Sequence, residues 1–165
     1  MTPISLAAVA EEDLSYKGAD AEKLLDVAKQ AVATLCSAKA EDVKVDEDGD
    51  ILCMADSAGV YVSVRTDPSA LVFRAFLLDG VKESPALYAL LNEINLDLEV
   101  GQVYYNEETG GIRYYYKYFA EDPSPELVAF IISEMNDIAD LYDDRLKTRL
   151  GGERFNEIAD DEVDV

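Results

Sequence analysis

The segment that most constrains the fold is an aromatic stretch at residues 101–119. It contains six of the ten tyrosines in the chain. Two runs of β-forming residues flank the sequence from Asn106 to Gly111, which ends in two glycines that can adopt positive φ. This arrangement predicts a β-hairpin over residues 102–119. Such a hairpin must join a larger sheet, and the helices predicted on either side of it must pack against that sheet.

Three segments carry apolar residues at the three-and-four spacing of a buried helical stripe. Each begins after an Asp or Ser that can cap a helix, and two of them continue with a proline in the first turn. The spacing predicts helices at residues 20–39, 84–97 and 124–147. A further short helix is predicted from Ile4 to Glu12.

Short apolar runs between the first two helices predict three or four antiparallel strands. They lie at residues 43–45, 51–55, 59–66 and 70–78. The element order predicts an α+β fold with one antiparallel sheet of five to six strands and helices packed on one face. We expect an N-terminal extension at residues 1–19, one domain at residues 20–150, and an acidic, disordered tail at residues 151–165.

The net charge of −21, from 35 acidic and 14 basic residues, repels nucleic acid and anionic membranes. The chain has no histidine, which excludes Ser–His–Asp and Cys–His catalysis. Asp46, Asp48 and Asp50 have the spacing of a calcium loop, but Ile51 stands where that loop needs glycine, so we interpret them as a turn. No nucleotide-binding motif is present. We therefore expect no enzymatic activity, no metal and no cofactor.

Cys36 and Cys53 are the only cysteines and do not form a C-x-x-C motif. Both fall on apolar patterns and are interpreted as reduced packing residues, which fits a cytoplasmic protein. The first apolar run follows no basic segment and is a poor signal peptide. No stretch is long enough to predict a membrane span.

Strand alternation predicts that one sheet face, turned away from the helices, gathers bases and aromatics. Tyrosine and arginine dominate binding hot spots, so this face is a candidate binding surface. Its predicted residues are Tyr61, Arg65, Arg74, Phe76, Tyr104, Arg113, Tyr115 and Lys117. As outward positions, they should contribute little to stability. The alternative is a merely solvated face, or one covered by a partner subunit.

The element order, the helix sequence SPALYALLNEIN at residues 84–95, the glycine-turned aromatic hairpin and the SPEL helix from Ser124 resemble the type III secretion chaperones and the YbjN-like proteins. The resemblance covers residues 20–150. It implies a bacterial, chaperone-like or regulatory protein without a catalytic motif, often a homodimer. Its partner would be a protein or peptide, bound on the sheet face or in a groove beside the helices.

Two other functions remain open from the sequence. The acidic chain could mimic nucleic acid and occupy the basic site of a DNA-binding protein. Less favoured is a sheet that binds nucleic acid itself, since aromatics and arginines on a sheet can stack bases. The net charge argues against this last function.

Overall fold

A computed structural model describes residue 16, residues 18–55 and residues 58–154. The predicted helix from Ile4 to Glu12 and the part of the predicted tail beyond Arg154 lie outside these residues. The elements, in chain order, are α1 (Ala21–Leu35), β1 (Asp50–Ala55), β2 (Ala58–Thr66), β3 (Ser69–Leu78), α2 (Pro85–Asp97), β4 (Gln102–Asn106), β5 (Gly111–Tyr118) and α3 (Pro125–Leu150).

The five strands form one antiparallel sheet in the order β1-β2-β3-β5-β4. The predicted α+β fold is therefore confirmed. The predicted hairpin is β4–β5, with Asn106 opposite Gly111 at its turn. β5 lies inside the sheet beside β3, and β4 forms an edge. Because β3 and β4 lie on opposite sides of β5, the connection through α2 must cross over β5.

The three helices begin at the predicted caps. The Asp20 carboxylate accepts a hydrogen bond from the Lys23 N–H at 2.7 Å. The hydroxyls of Ser84 and Ser124 accept equivalent bonds at 3.1 and 3.2 Å in α2 and α3. Each cap satisfies one of the backbone donors that a helix leaves unpaired at its N-terminus.

Helix α1 is shorter than predicted, because it ends at Leu35 instead of continuing to Lys39. Ser37 adopts a left-handed φ of 51°, and the Ala38 N–H turns back to donate to the Ala33 carbonyl at 2.9 Å. This is how a helix terminates when a residue after its last turn becomes left-handed. The apolar pattern continues past this point and gave no sign of the break.

The strand predicted at residues 43–45 is wrong. These residues follow a short 3-10 helix, Ala40–Asp42, and the side chains of Val43 and Val45 are partly buried against the core. The Asp46 carboxylate then accepts hydrogen bonds from the N–H groups of Asp48 and Asp50, at 3.0 and 2.8 Å. This local turn satisfies the backbone there, so regular pairing with β2 begins only at Asp50.

The core lies between one sheet face and the layer formed by α1 and α3, which pack against each other and over the central strands. Phe73 of β3 and Tyr114 of β5 are fully buried at its centre. Helix α2 lies along β4, where Leu87 and Ile94 are fully buried in the same core. The Asn95 amide both donates to and accepts from the Val103 backbone, at 3.0 and 2.8 Å, and so attaches α2 to the sheet edge. A space stays open between the C-terminal end of α2 and α3.

Candidate functional site

A groove runs along the helical side of the molecule, between α3 and residues 97–100 at the C-terminal end of α2. Its volume is about 580 Å³. Tyr114, Tyr116 and Tyr118 of β5 line its floor. Tyr114 is fully buried, whereas Tyr116 and Tyr118 are half-buried. We call this cavity the helix-side groove.

One wall of the helix-side groove is a second apolar stripe on α3. A first stripe, which includes Val128, Ile132 and Met135, is buried in the core. The second follows the same spacing on an adjacent face and comprises Leu127, Phe130, Ile131, Ile138 and Leu141. The side chains of Phe130 and Leu141 are 59% and 68% exposed. Large apolar side chains left exposed together are typical of an interaction surface.

The opposite wall consists of residues 97–100, and Tyr114 fixes its position. Its hydroxyl donates a hydrogen bond to the Val100 carbonyl at 2.9 Å, and burial raises the pKa of Tyr114 to about 12, so the donor stays protonated. Gly101 has a φ of 72°, and a Cβ there would lie 2.7 Å from the Tyr114 ring. Only glycine therefore lets this segment close against the ring.

The helix-side groove is acidic as well as apolar. Asp97, Glu99 and Glu134 line it, and within the described part of the chain no lysine or arginine does. The chain as a whole carries a net charge of −21. The groove is thus suited to apolar side chains that are flanked by positive charge.

The eight residues predicted as a binding face lie together on the opposite, outer face of the sheet. Strand register places Tyr61, Arg74 and Tyr115 in one row across β2, β3 and β5. Leu52 of β1 and Gln102 of β4 extend this row at the two sheet edges. Whether this face binds a partner stays a prediction.

The aromatic residues of the outer face pack in two groups. The rings of Tyr61 and Phe76 are 5.1 Å apart, and those of Tyr104 and Tyr115 meet edge to face at 6.5 Å. Lys117 lies 5.7 Å from the Phe119 ring. Arg65 is exposed near the end of β2, at the margin of the face.

Arg74 and Arg113 are engaged within the molecule. One Arg74 guanidinium nitrogen lies 2.5 Å from the Asp50 carboxylate and 3.0 Å from the Ser63 hydroxyl. Arg113 lies 2.6 Å from the Asp79 carboxylate and also donates to the Leu78 carbonyl at 2.9 Å. Both guanidinium groups therefore already have acidic partners.

Arg113 also corrects the expectation that outward residues are solvated. Its residue exposure is only 7%, and its guanidinium lies 4.1 Å above the Phe76 ring. A Cβ at Gly111 would lie 2.3 Å from this guanidinium, so glycine makes room for it. Strand alternation assigns the face correctly but does not show that neighbouring side chains cover it.

The helix-side groove was only partly visible in the sequence. Leu127, Phe130 and Leu141 lie at helical spacing outside the buried stripe of α3, and this second stripe was the signal that could have identified the wall. Strand alternation places Tyr116 and Tyr118 on the inner face with Tyr114, but nothing in the sequence locates the gap beside them.

Among the described residues, no group of three or more His, Cys, Asp or Glu side chains is arranged to hold a metal ion. Cys53 is buried, as predicted, but the same prediction is wrong for Cys36, which is exposed. Within residues 16, 18–55 and 58–154, no helix combines the length and apolar character needed to cross a bilayer.

Three solved structures share the fold. The ExsC–ExsE complex aligns with a TM-score of 0.62 at 16% identity, over 76% of this chain and 94% of that chain. The HopA1–SchA chaperone–effector complex gives 0.54 at 14% identity, over 74% and 93%. The type III secretion chaperone SycH of Yersinia pestis, in complex with a stable fragment of YscM2, gives 0.52 at 16% identity, over 71% and 98%.

At these identities the structures establish similarity of fold alone. No curated protein matches the chain. A family model does match, over residues 23–158, and its description is the T3SS (YopN, CesT) and YbjN peptide-binding chaperone 1, or TY-Chap1. That range includes all five strands and nearly all of the three helices. The chain therefore belongs to the TY-Chap1 family of type III secretion and YbjN peptide-binding chaperones.

Proposed function

We propose that this protein is a non-enzymatic, chaperone-like module that binds a segment of another polypeptide in the helix-side groove. The observation that carries this proposal is the exposed apolar stripe of α3 beside the tyrosine floor. Membership of a peptide-binding family supports the same conclusion. Nothing in the family or in the related folds supports a nucleic-acid mimic or a nucleic-acid-binding sheet.

The groove favours a particular kind of segment. From Leu127 to Leu141 the wall extends for about 21 Å along α3, nearly four helical turns. A volume of about 580 Å³ holds a few side chains rather than a domain. The acidic lining favours basic residues beside those apolar anchors. The proposed ligand is therefore a short amphipathic segment with apolar residues on one side and lysine or arginine at its margins.

The outer sheet face is the second proposed contact. Tyr61 and Tyr115 flank Arg74 there, and Leu52 is 39% exposed at the end of the same row. Because Arg74 and Arg113 are paired with acidic residues, this surface offers aromatic contact more than free positive charge. A polypeptide anchored in the groove could make additional, weaker contacts here.

A model ligand tests the proposal directly. The probe is a synthetic peptide of leucine and lysine patterned as an amphipathic helix, here named the Leu/Lys peptide. Its controls are a scrambled peptide of the same composition and a leucine–glutamate peptide of the same pattern. Titration calorimetry should show saturable binding of the Leu/Lys peptide only. Equal binding of the scrambled peptide would show that charge alone drives the interaction, and it would contradict the proposal.

We also propose that the protein is a homodimer in the cytoplasm, as the resemblance to the family implies. Tyr88 is an aromatic residue of α2 that lies outside the buried stripe and is 42% exposed. Aromatic residues of this kind are enriched at interfaces. Light scattering should give twice the chain mass, and a monomer at high micromolar concentration would contradict it. Cell fractionation tests the location.

A further inference from the structure

The chain that leads into α1 passes one end of the helix-side groove. The Ala19 N–H donates a hydrogen bond to the Ala120 carbonyl at 3.0 Å. The Tyr16 ring meets the Phe119 ring edge to face, with the ring centres 5.7 Å apart. Phe119 and Ala120 directly follow Tyr118, which lies on the floor of the groove. The residues before Tyr16 are therefore attached beside the groove.

This end of the groove is also where its apolar wall begins. Residues 119–124 connect β5 to α3, so the first turns of α3 start close to the end of β5. Leu127 and Phe130 lie in these first turns and are exposed. A segment that leaves the body of the protein at Tyr16 can therefore enter the groove without crossing the rest of the molecule.

The composition of the segment before Tyr16 fits an acidic, apolar groove. Residues 1–10 read MTPISLAAVA and contain no charged side chain. They can therefore lie beside the acidic residues of the groove without electrostatic repulsion. Acidic side chains follow only at residues 11–13, next to the attached end.

The segment is also long enough to follow the wall. The wall from Leu127 to Leu141 extends for about 21 Å along α3. Residues 4–15 would cover about 18 Å as a helix, and a more extended segment would reach further. Most of the exposed apolar stripe is thus within reach of residues that are already attached at one end of it.

We propose that residues 4–10 of the same chain occupy the helix-side groove when no other polypeptide is bound there. This inference rests on the proposed function, because it assigns a competitor to the same groove. The segment lacks the lysine or arginine that the acidic lining favours, so it binds less tightly than a basic amphipathic ligand. As an attached segment it nevertheless competes at an effective concentration of about 1 mM. It covers the α3 stripe in the free protein and leaves when a ligand binds.

The first test compares the affinity of the Leu/Lys peptide for two full-length proteins by titration calorimetry. Leu6→Ser combined with Val9→Ser removes two large apolar side chains from the segment. The variant should bind the peptide about three- to tenfold more tightly than the wild type, because a larger fraction of the protein has an open groove. Thr2→Ala combined with Ser5→Ala alters the same segment but keeps those side chains, so its affinity should equal that of the wild type.

A second test locates the segment without any peptide. A nitroxide label is attached at Ser5→Cys in a Cys36→Ser background, where the buried Cys53 is the only other thiol. Nuclear magnetic resonance signals of Phe130 and Leu141 should broaden, and adding the Leu/Lys peptide should reverse the broadening. A mixture of nitroxide-labelled protein with isotope-labelled protein that carries no nitroxide should show no broadening.

The outcomes separate this inference from the proposed function. Equal affinity of the peptide for wild type and for the Leu6 and Val9 variant, with no broadening along α3, would overturn the inference and leave the proposed function intact. Broadening in the mixed sample would also overturn it, because a second copy would then supply the segment. If the peptide binds neither protein, the proposed function fails, and the nitroxide result alone decides the inference.

Discussion

The helix-side groove and the outer sheet face are both rich in tyrosine, yet they differ in what they leave available. In the groove, Phe130 and Leu141 are more than half exposed, and acidic residues stand beside them. On the outer face, Arg74 and Arg113 are paired with Asp50 and Asp79, in contacts of 2.5 and 2.6 Å. The same residue types can therefore be open to a partner on one surface and engaged within the molecule on another.

The two surfaces also differ in how completely their side chains are covered by neighbouring side chains. The outer face contains Ser63 and Val72 at 5% and 2% exposure, so the long side chains around them close over much of the sheet. The floor of the groove is also packed, but its α3 wall carries apolar side chains with solvent on one side. A partner gains more from covering such side chains than from replacing ion pairs that already exist.

The largest expected effect is on stability. It concerns Arg113, an outer-face residue that is paired with Asp79 inside the molecule. Arg113→Met should lower the free energy of unfolding by about 2–4 kcal/mol, because Asp79 loses its cation inside a partly buried site. Urea denaturation followed by circular dichroism measures this loss. Lys117→Met is the matched control on the same strand and face, with an expected change of about 0.5 kcal/mol. Equal losses in the two variants would show that Arg113 is not a buried structural residue.

The next effect tests the groove itself. Phe130→Ser combined with Leu141→Ser should weaken binding of the Leu/Lys peptide about 30-fold or more, since two anchors of an apolar surface are lost. Stability should change little, because both side chains are exposed. Leu35→Ser combined with Leu96→Ser is the control, as these exposed leucines line neither surface. If both pairs weaken binding equally, the groove has no special role.

The architecture was largely predictable from the sequence. Caps at Asp20, Ser84 and Ser124 and the regular apolar spacing placed the helices, and the aromatic hairpin placed β4 and β5. Helix caps, apolar spacing and a hairpin sequence involve only residues close together in the chain, so they can be recognised without knowledge of the fold. The end of α1 could not be read in this way, since it depends on the left-handed conformation of Ser37.

The candidate sites were less predictable, because they depend on distances between elements. Alternation assigned Arg113 to the outer face, but its burial arises from Asp79, Phe76 and the open space at Gly111. The gap beside Tyr116 lies between α3 and the C-terminal end of α2, which Asn95 attaches to β4, so it depends on how three separate elements are placed. No pattern within one element contains that information.

A smaller effect is expected on the outer face. Tyr61→Ala combined with Tyr115→Ala should weaken binding of the Leu/Lys peptide about tenfold at most, which corresponds to about 1.4 kcal/mol. The two rings flank Arg74, so their loss removes aromatic contact while both ion pairs remain. Calorimetry measures the affinity, and circular dichroism checks the fold. A larger loss than in the Phe130 and Leu141 variant would reverse the ranking of the two surfaces.

Ionic strength should have a weaker effect still. Raising the salt concentration from about 0.05 to 0.5 M should reduce affinity for the Leu/Lys peptide by roughly two- to fivefold, because screening weakens its attraction to Asp97, Glu99 and Glu134. The affinity that remains at the higher salt concentration should come from apolar contact. Complete loss of binding at the higher salt concentration would mean that charge alone holds the peptide.

The smallest expected effect is that of calcium. The Asp46 carboxylate already accepts two backbone hydrogen bonds, and Asp50 is paired with Arg74. Calcium should therefore leave the thermal midpoint unchanged beyond the general screening that magnesium also gives. A saturable shift specific to calcium, and removed by Asp48→Ala, would show a metal site where we infer a turn.

Binding in the helix-side groove is tested most directly by mapping the Leu/Lys peptide on the isotope-labelled protein by nuclear magnetic resonance. We predict that chemical shifts change with saturation along α3 between Leu127 and Tyr142 and at Tyr116 and Tyr118. Changes around Tyr61 and Tyr115 should be weaker, and the scrambled peptide should cause no saturable change. Changes centred on Tyr61, Arg74 and Tyr115, with α3 unaffected, would contradict the assignment of the groove as the principal binding surface.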